Sequence, residues 1–436
     1  NGGEPVPCTA HDFVFGFRRL INPATKSKNA DRFFIIKNAE SISNGKISDL
    51  TELGVEALSD YRLVIRLEYA DLQFLYLLAA APAMPCNEEF YKSTEGQYGL
   101  NVGSVMSNGS FYLYNWNYDR YSNVNNVLIL RRNKHNSEVN RVFPYGLNFF
   151  IGADDNVSNF TEGESHSLIA DGEKALALIE QGYPYNEYEN FIWGIVFNTK
   201  SSIFSDPGLR RALKYSFNSG DIIKEFSGYL KTDMFIPHDV KLGEENYRVL
   251  AGNFLPEEPQ SDLKEMFDQA LERIGASNIN GLNLLVSNNS EINEYLSYIT
   301  QKWQKELGFY CNIKIESDEG INEEISKGNF DLAMVRISGE NNSPSAYLDY
   351  FIEDGSLSAY SGSSDYKKYL SLAEKAANFG ESAEYYLKAE KILLQDAVFI
   401  PICFQTEYFF HQNQCIDIFY NPFTGTINYS KAKYFG

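Results

Sequence analysis

Between residues 206 and 404 the apolar residues change period again and again, and no other feature of the chain limits its fold so tightly. Asp206-Pro207 joins an N-cap residue to a proline suited to the first helical position, so a helix starts there. It breaks near Asn218-Ser219-Gly220, and a second helix begins at Asp221. Leu263, Met266, Phe267, Ala270, Leu271 and Ile274 then form one apolar helical face, closed by Gly275. Residues 281–287 read as a strand, a helix capped by Ser290 runs through Trp303 to Gly308, and 309–316 alternates as a strand. A short helix leads to a strand at 330–336. Helices at 364–377 and 382–394 precede an apolar strand at 398–404. Strands separated by helices of this length predict a mostly parallel α/β sheet.

The first half is less regular. A helix is predicted over 9–21, with Phe13, Phe17, Leu20 and Ile21 at helical spacing and Asn22-Pro23 as its stop. Residues 62–69 alternate as a strand, and 72–82 read as a short apolar helix. Residues 110–116 and 126–132 form a hairpin across a polar turn, and 146–151 are strand-like. The longest apolar run, 72–83, contains Pro82 and falls short of the roughly 18 residues a membrane span needs, which predicts a soluble chain.

A length of 436 residues leaves room for two to four domains. With 38 basic against 58 acidic side chains the net charge is −20, so bulk attraction to a phosphate backbone is excluded and no nucleic-acid partner is expected. The five cysteines (Cys8, Cys86, Cys311, Cys403, Cys415) include no CxxC pair, which argues against a zinc knuckle or a dithiol redox centre. Free thiols are the favoured reading, with one or two disulfides as the alternative. The five histidines never pair at i,i+4, and no P-loop, GxGxxG or GxSxG motif occurs. Nothing commits the chain to catalysis, to a metal or to a cofactor. Its opening, Asn1-Gly2-Gly3-Glu4-Pro5, is turn sequence with neither signal peptide nor initiator methionine, as though targeting information had been removed.

Several segments in order resemble one family. Gly3-Glu4-Pro5-Val6 followed by Thr9-Ala10-His11-Asp12-Phe13-Val14 is similar to its "DG-PVTA-DFV" block, and Arg19-Leu20-Ile21-Asn22-Pro23-Ala24-Thr25 to its "RL-DP-T". Downstream, Phe197-Asn198-Thr199, Arg210-Arg211-Ala212-Leu213, Gly328-Asn329-Phe330-Asp331 and Ile400-Pro401-Ile402 match further blocks. The family is that of the family 5 extracellular solute-binding proteins, the oligopeptide-binding subunits of ABC importers. The resemblance implies an α/β, periplasmic-binding-protein type II-like clamshell with mixed sheets and a hinged interlobe cleft, the N-terminal part of the family fold being missing. Residues 1–142 would form lobe II, 143–221 lobe I, 222–405 lobe III, and 406–436 a return to lobe I.

The implied function is to capture oligopeptides in extended conformation, by their main chain, between lobes that close on a hinge. The implied partners are the peptide and the membrane permease subunits of an ABC importer. The protein would be a monomeric bacterial lipoprotein in the periplasm or on the extracellular face of the membrane, anchored through a leading segment not in this chain. A peptide-sensing receptor of the same fold and a binder of non-peptide ligands are the alternatives.

The family's aspartate for the peptide α-ammonium falls at Glu340, by alignment on Asn342-x-Pro344. Glu340 is either that ammonium partner or a solvated loop glutamate. Gly339 and Ser338 would offer backbone groups, and Trp193 would either line the cleft or sit in the core. The family's arginine falls at Met334, with Arg336 two residues on along the same strand face, and its loop tryptophan falls at Ile337. The lobe II tyrosine becomes Asn29, and a lobe III tryptophan and arginine become Asp318 and Ile325. These departures put the peptide, as the particular ligand, in question.

Overall fold

A computed structural model of the chain describes residues 4–117, 126–151, 156–217, 228–254, 262–288, 290–352, 357 and 363–435. The chain divides into two compact units. One comprises Asn1–His166, Asn413–Phe419 and Ile427–Gly436; the other comprises Ser167–Gln412 and Tyr420–Thr426.

The first unit opens with helix α1 (Ala10–Ile21). Thr9 and Asp12 cap it reciprocally, Asp12 Oδ2 accepting from the Thr9 N–H at 2.7 Å. Phe17, Leu20 and Ile21 pack with Phe33, Ile36, Leu53 and Val55 in this unit's core. The hairpin of β1 (Val55–Ser59) and β2 (Arg62–Ile65) carries Val55 into that core. Residues 72–82 do not make one helix. A single turn at Phe74–Leu77 is followed by a 3-10 turn at Ala81–Ala83, because Pro82 denies the helix an N–H and restricts Ala81 before it. Helix α2 (Glu88–Ser93) starts at Asn87, whose side chain accepts from the Phe90 N–H. Strands β3 (Phe111–Asn117), β4 (Asn126–Arg132) and β5 (Gly146–Ile151) form an antiparallel sheet. The hairpin is as predicted, and its turn lies outside the described residues. Residues 146–151 thus pair within the first unit.

The second unit is built on a seven-stranded sheet covered on both faces. In chain order its elements are β6 (Ser167–Ala170), β7 (Tyr185–Phe197), α3 (Pro207–Tyr215), β8 (Tyr229–Lys231) and α4 (Leu263–Arg273). There follow β9 (Leu282–Ser287), α5 (Ser290–Lys302), β10 (Cys311–Glu316), α6 (Asp318–Lys327) and β11 (Leu332–Ser338). Last come α7 (Ser364–Glu374), α8 (Phe379–Gln395) and β12 (Phe399–His411). Asp206 caps α3 as predicted, its carboxylate accepting from the Leu209 N–H at 3.0 Å. The second helix predicted from Asp221 lies outside the described residues.

The strand order is β10-β9-β11-β7-β12-β6, with β8 also along β12. Only the β9–β10 and β9–β11 pairs are parallel; the others are antiparallel, which corrects the expectation of a mostly parallel sheet. Strands β9 to β12 do all point one way, as the strand–helix alternation requires. But β7 is inserted between β11 and β12, and β6 and β8 line the far edge of β12, all three running the opposite way. Periodicity reports the direction of strands within a run, not which earlier strand slots between them.

Alternation along β7 serves two cores. Ile192 and Val196 face α6, α7 and α8, while Trp193, Ile195 and Phe197 face α3, α4 and α5. Gly194 lies between them because a Cβ there would come within 2.2 Å of the Phe399 ring. All five cysteines are free, Cys86, Cys403 and Cys415 being buried. Among the described residues no helix is long and apolar enough to cross a membrane.

Candidate ligand-binding site

The long strands of the second unit run on beyond its helix-covered core, and there their side chains turn polar. Along β11, Leu332 and Met334 are buried against α3–α5, and the same face then presents the exposed Arg336 and the half-buried Ser338. Register places Arg336 opposite Trp193 and Ser338 opposite Phe191 on β7, while β12 places Gln405 opposite Phe191. The Arg336 guanidinium lies 4.6 Å from the centre of the Phe191 ring and 5.8 Å from that of Trp193. Both distances suit cation–π attraction.

Beneath it a polar chain links β7 and β12 to Asp171, the residue that follows β6. Trp193, only 3% exposed, donates from Nε1 to Gln405 Oε1 at 2.7 Å. The Gln405 amide then donates to Asp171 Oδ2, also at 2.7 Å. Its two ends meet a pure donor and a carboxylate, so the amide has a single satisfied orientation. Two residues further along β12, Glu407 accepts from the Tyr420 hydroxyl. Burial raises the Glu407 carboxyl above the usual range and Asp171 adds to this, while Tyr420 and Arg336 act against it.

The loop leaving β11 is shaped by two tyrosines. Gly339 is buried, and a Cβ there would lie 2.6 Å from the Tyr347 ring and 2.9 Å from the Asn341 carbonyl oxygen. Tyr347, fully buried, donates to the Asn190 carbonyl at 2.7 Å, and Tyr350 donates to the Ser338 carbonyl at 3.0 Å. The Asn342 side chain accepts from the Lys241 N–H at 2.7 Å and ties down the loop's far side. Glu340 is exposed between these fixed points. Burial raises the Tyr350 hydroxyl, and the Glu340 charge raises it further.

The structure therefore gathers Arg336, Ser338, Gly339, Glu340 and Trp193 at one end of the sheet. Trp193 is buried there, in contact with Arg336 and bonded to Gln405. The Ser338 carbonyl already accepts from Tyr350. Asp318, exposed at the start of α6, follows β10, which lies two strands from β11. Asn29 belongs to the first unit, its N–H donating to Ser27 Oγ at 3.3 Å. Ile325, Met334 and Ile337, where charged or aromatic residues were sought, are core residues at most 2% exposed. Sequence reasoning missed Phe191, Asp171, Gln405 and Glu407. A signal was present: polar Gln405-Thr406-Glu407 and Glu189-Asn190 directly adjoin the apolar runs of β12 and β7. Among the described residues no group of three or more His, Cys, Asp or Glu is placed to hold a metal.

Comparison with solved structures defines the class first. The substrate-binding domain of an oligopeptide ABC transporter from Bacillus anthracis superimposes with a TM-score of 0.75 at 23% identity, over 98% of this chain and 84% of that one. The fold is that of an ABC-transporter solute-binding protein. Sequence then assigns the family: the profile described as "Bacterial extracellular solute-binding proteins, family 5 Middle" matches residues 1–358, and the chain belongs to that family. It is a family of solute-binding proteins, not of enzymes. The oligopeptide-binding protein OppA of Bacillus subtilis is 22% identical over 458 residues, spanning 100% of this chain and 80% of its own. The periplasmic oligopeptide-binding protein OppA of Salmonella typhimurium is 24% identical over 418 residues, spanning 92% and 74%.

Proposed function

We propose that this protein captures oligopeptides outside the cytoplasm and hands them to the permease of an ABC importer. The ligand is held extended, largely through its main chain, and is enclosed by hinge closure. The observation that carries this reading is the exposed Glu340, held just past a buried strand by the Tyr347, Tyr350 and Asn342 contacts. A carboxylate carried on a loop anchored on both sides suits a peptide α-ammonium, because charge-assisted hydrogen bonds reward a preset backbone. Arg336, on the same strand and backed by Phe191 and Trp193, offers the opposite charge to a ligand carboxylate. Attachment to the membrane through a lipid-bearing leading segment is part of the same proposal.

The test is calorimetry on Glu340→Gln. Breaking one half of a charge pair that becomes desolvated in the complex costs about 3–5 kcal/mol. Free-amino peptides are expected to lose affinity on that scale, and N-acetylated peptides of the same sequence to lose little. Equal losses for both would remove Glu340 from the ammonium site.

A further inference from the structure

The first unit contains a cavity that the peptide site does not use. On α1, His11, Phe15, Arg18 and Arg19 share a face away from Phe17, Leu20 and Ile21, and with Tyr91 and Glu88 of α2 they line a space of about 380 Å³. That volume is within the usual range for small-molecule sites.

The opposing wall is fixed by contacts at the middle of α1. Gly16 lets the chain at Met84 approach so closely that a Cβ would lie 3.1 Å from the Met84 carbonyl oxygen. The Cys86 N–H donates to the Asp12 carbonyl and the Asn87 amide to the Asp12 carboxylate, each at 3.0 Å. Tyr91 is thereby set 5.5 Å from the Phe15 ring and 5.3 Å from Tyr98. The Arg19 guanidinium lies against both tyrosines, 4.8 Å and 5.2 Å from their ring centres.

Two cations line this cavity, and the carboxylate beside them, Glu88, is paired with Lys92 and with neither arginine. The Nε atoms of Arg18 and Arg19 are both buried with no hydrogen-bond partner, and neither guanidinium forms an ion pair among the described residues. The nearby carboxylates are committed elsewhere: Glu88 to Lys92 at 2.7 Å, Asp12 to the Thr9 cap, and Asp60 to His11 at 3.5 Å. Asp49 feels Arg18 only as the least of several influences, its hydrogen bonds from Thr51 being the main ones. Buried guanidinium donors left unpaired are costly, and a planar oxyanion satisfies them in pairs.

We propose that this cavity binds a small molecule through an oxyanion group, a carboxylate or phosphate, held by Arg18 and Arg19 with its remainder against Phe15 and Tyr91. The site is independent of the peptide reading. It is tested by titrating the whole chain calorimetrically with inorganic phosphate and, separately, with benzoate, which adds a ring for the aromatic wall. Saturable binding of at least one probe is expected, and the R18Q/R19Q double variant should weaken it at least about tenfold. Stronger binding of benzoate would assign the site to an aromatic carboxylate; stronger binding of phosphate would assign it to a phosphate group. Arg66→Gln, which removes an exposed partner of Glu56, should change neither titration. If the double variant melts differently, Arg19→Lys replaces it, since that change keeps the charge and removes the fork. Absence of saturable heat from both probes up to about 10 mM, or unchanged affinity in the arginine variants, overturns the proposal.

Discussion

Two carboxylates in the second unit, one buried and one half-buried, differ in how fully their oxygens are partnered. Glu390, 1% exposed, receives a forked pair of bonds from Arg248 at 2.6 and 2.8 Å and the N–H groups of Phe235 and Ile236 at 2.9 and 3.1 Å. Its charge is fully answered, so Glu390→Gln should destabilise the fold by about 3–5 kcal/mol, read as a lower denaturation midpoint. Asp349 has a buried Oδ1 with no hydrogen-bond partner among the described residues. Burial, with Glu374 adding, pushes its carboxyl up to about 8 from the ordinary 3.8. The sign follows from linkage: the unfolded chain ionises this group above 3.8 while the folded chain resists, so stability is lost as pH rises from about 4 towards 8. Asp349→Asn should therefore raise the melting temperature at pH 7.5 and leave it nearly unchanged at pH 4. An equal effect at both would mean that Asp349 is charged in the fold.

At the scale of elements, the sheet depends on how closely β7 and β12 approach. Adding a methyl at Gly194 would bring it within 2.5 Å of both the Phe399 ring and the Ile400 carbonyl oxygen. Gly194→Ala should cost about 1–3 kcal/mol or more in urea denaturation, because neither strand can yield without disturbing the other. Elements of this kind were largely legible in the sequence. The capped start of α3, the apolar face of α4 and the strands β9, β10 and β11 all follow local periodicity, which acts over a few residues. What was hidden depends on contacts across hundreds of residues. Nothing near Trp193 announces that Gln405 will accept from its indole, and nothing near Arg336 announces Phe191 beneath it. The predicted strand at 398–404 ended where its apolar run did, yet β12 continues to His411. Its polar extension was marked only by the polar residues that adjoin the apolar run; the reason for it, hydrogen bonds from Trp193 of β7 to Gln405 and from Gln405 to Asp171, exists only once the sheet has formed. Glu340 was singled out through resemblance alone, since a lone loop glutamate carries no local signal.

For the molecule as a whole, the decisive feature is how the chain is divided between its units. It leaves the first unit at His166, completes most of the second, and then alternates between them after Gln412, Phe419 and Thr426. Within the first unit the late residues are structural: Phe143 donates to the Ser430 carbonyl at 2.9 Å, Tyr429 meets Phe149 at 5.8 Å, and Tyr434 meets His166 at 5.3 Å. Residues 420–426 act likewise in the second unit, where Tyr420 bonds Glu407 and the Pro422 carbonyl accepts from Asn190 at 3.0 Å. Deleting 413–436 should therefore lower the thermal stability of both units, seen as faster hydrogen exchange around Phe149 and around Asn190 alike. Protection lost in one region only would show that the tail serves a single unit. During synthesis the residues up to His166 must wait, unfinished, while some 250 further residues are made, and this prolongs their exposure to chaperones and to self-association. Completion of the first unit is thus coupled in time to that of the second, because residues 413–419 and 427–436, which pack within it, are made after almost all of the second unit.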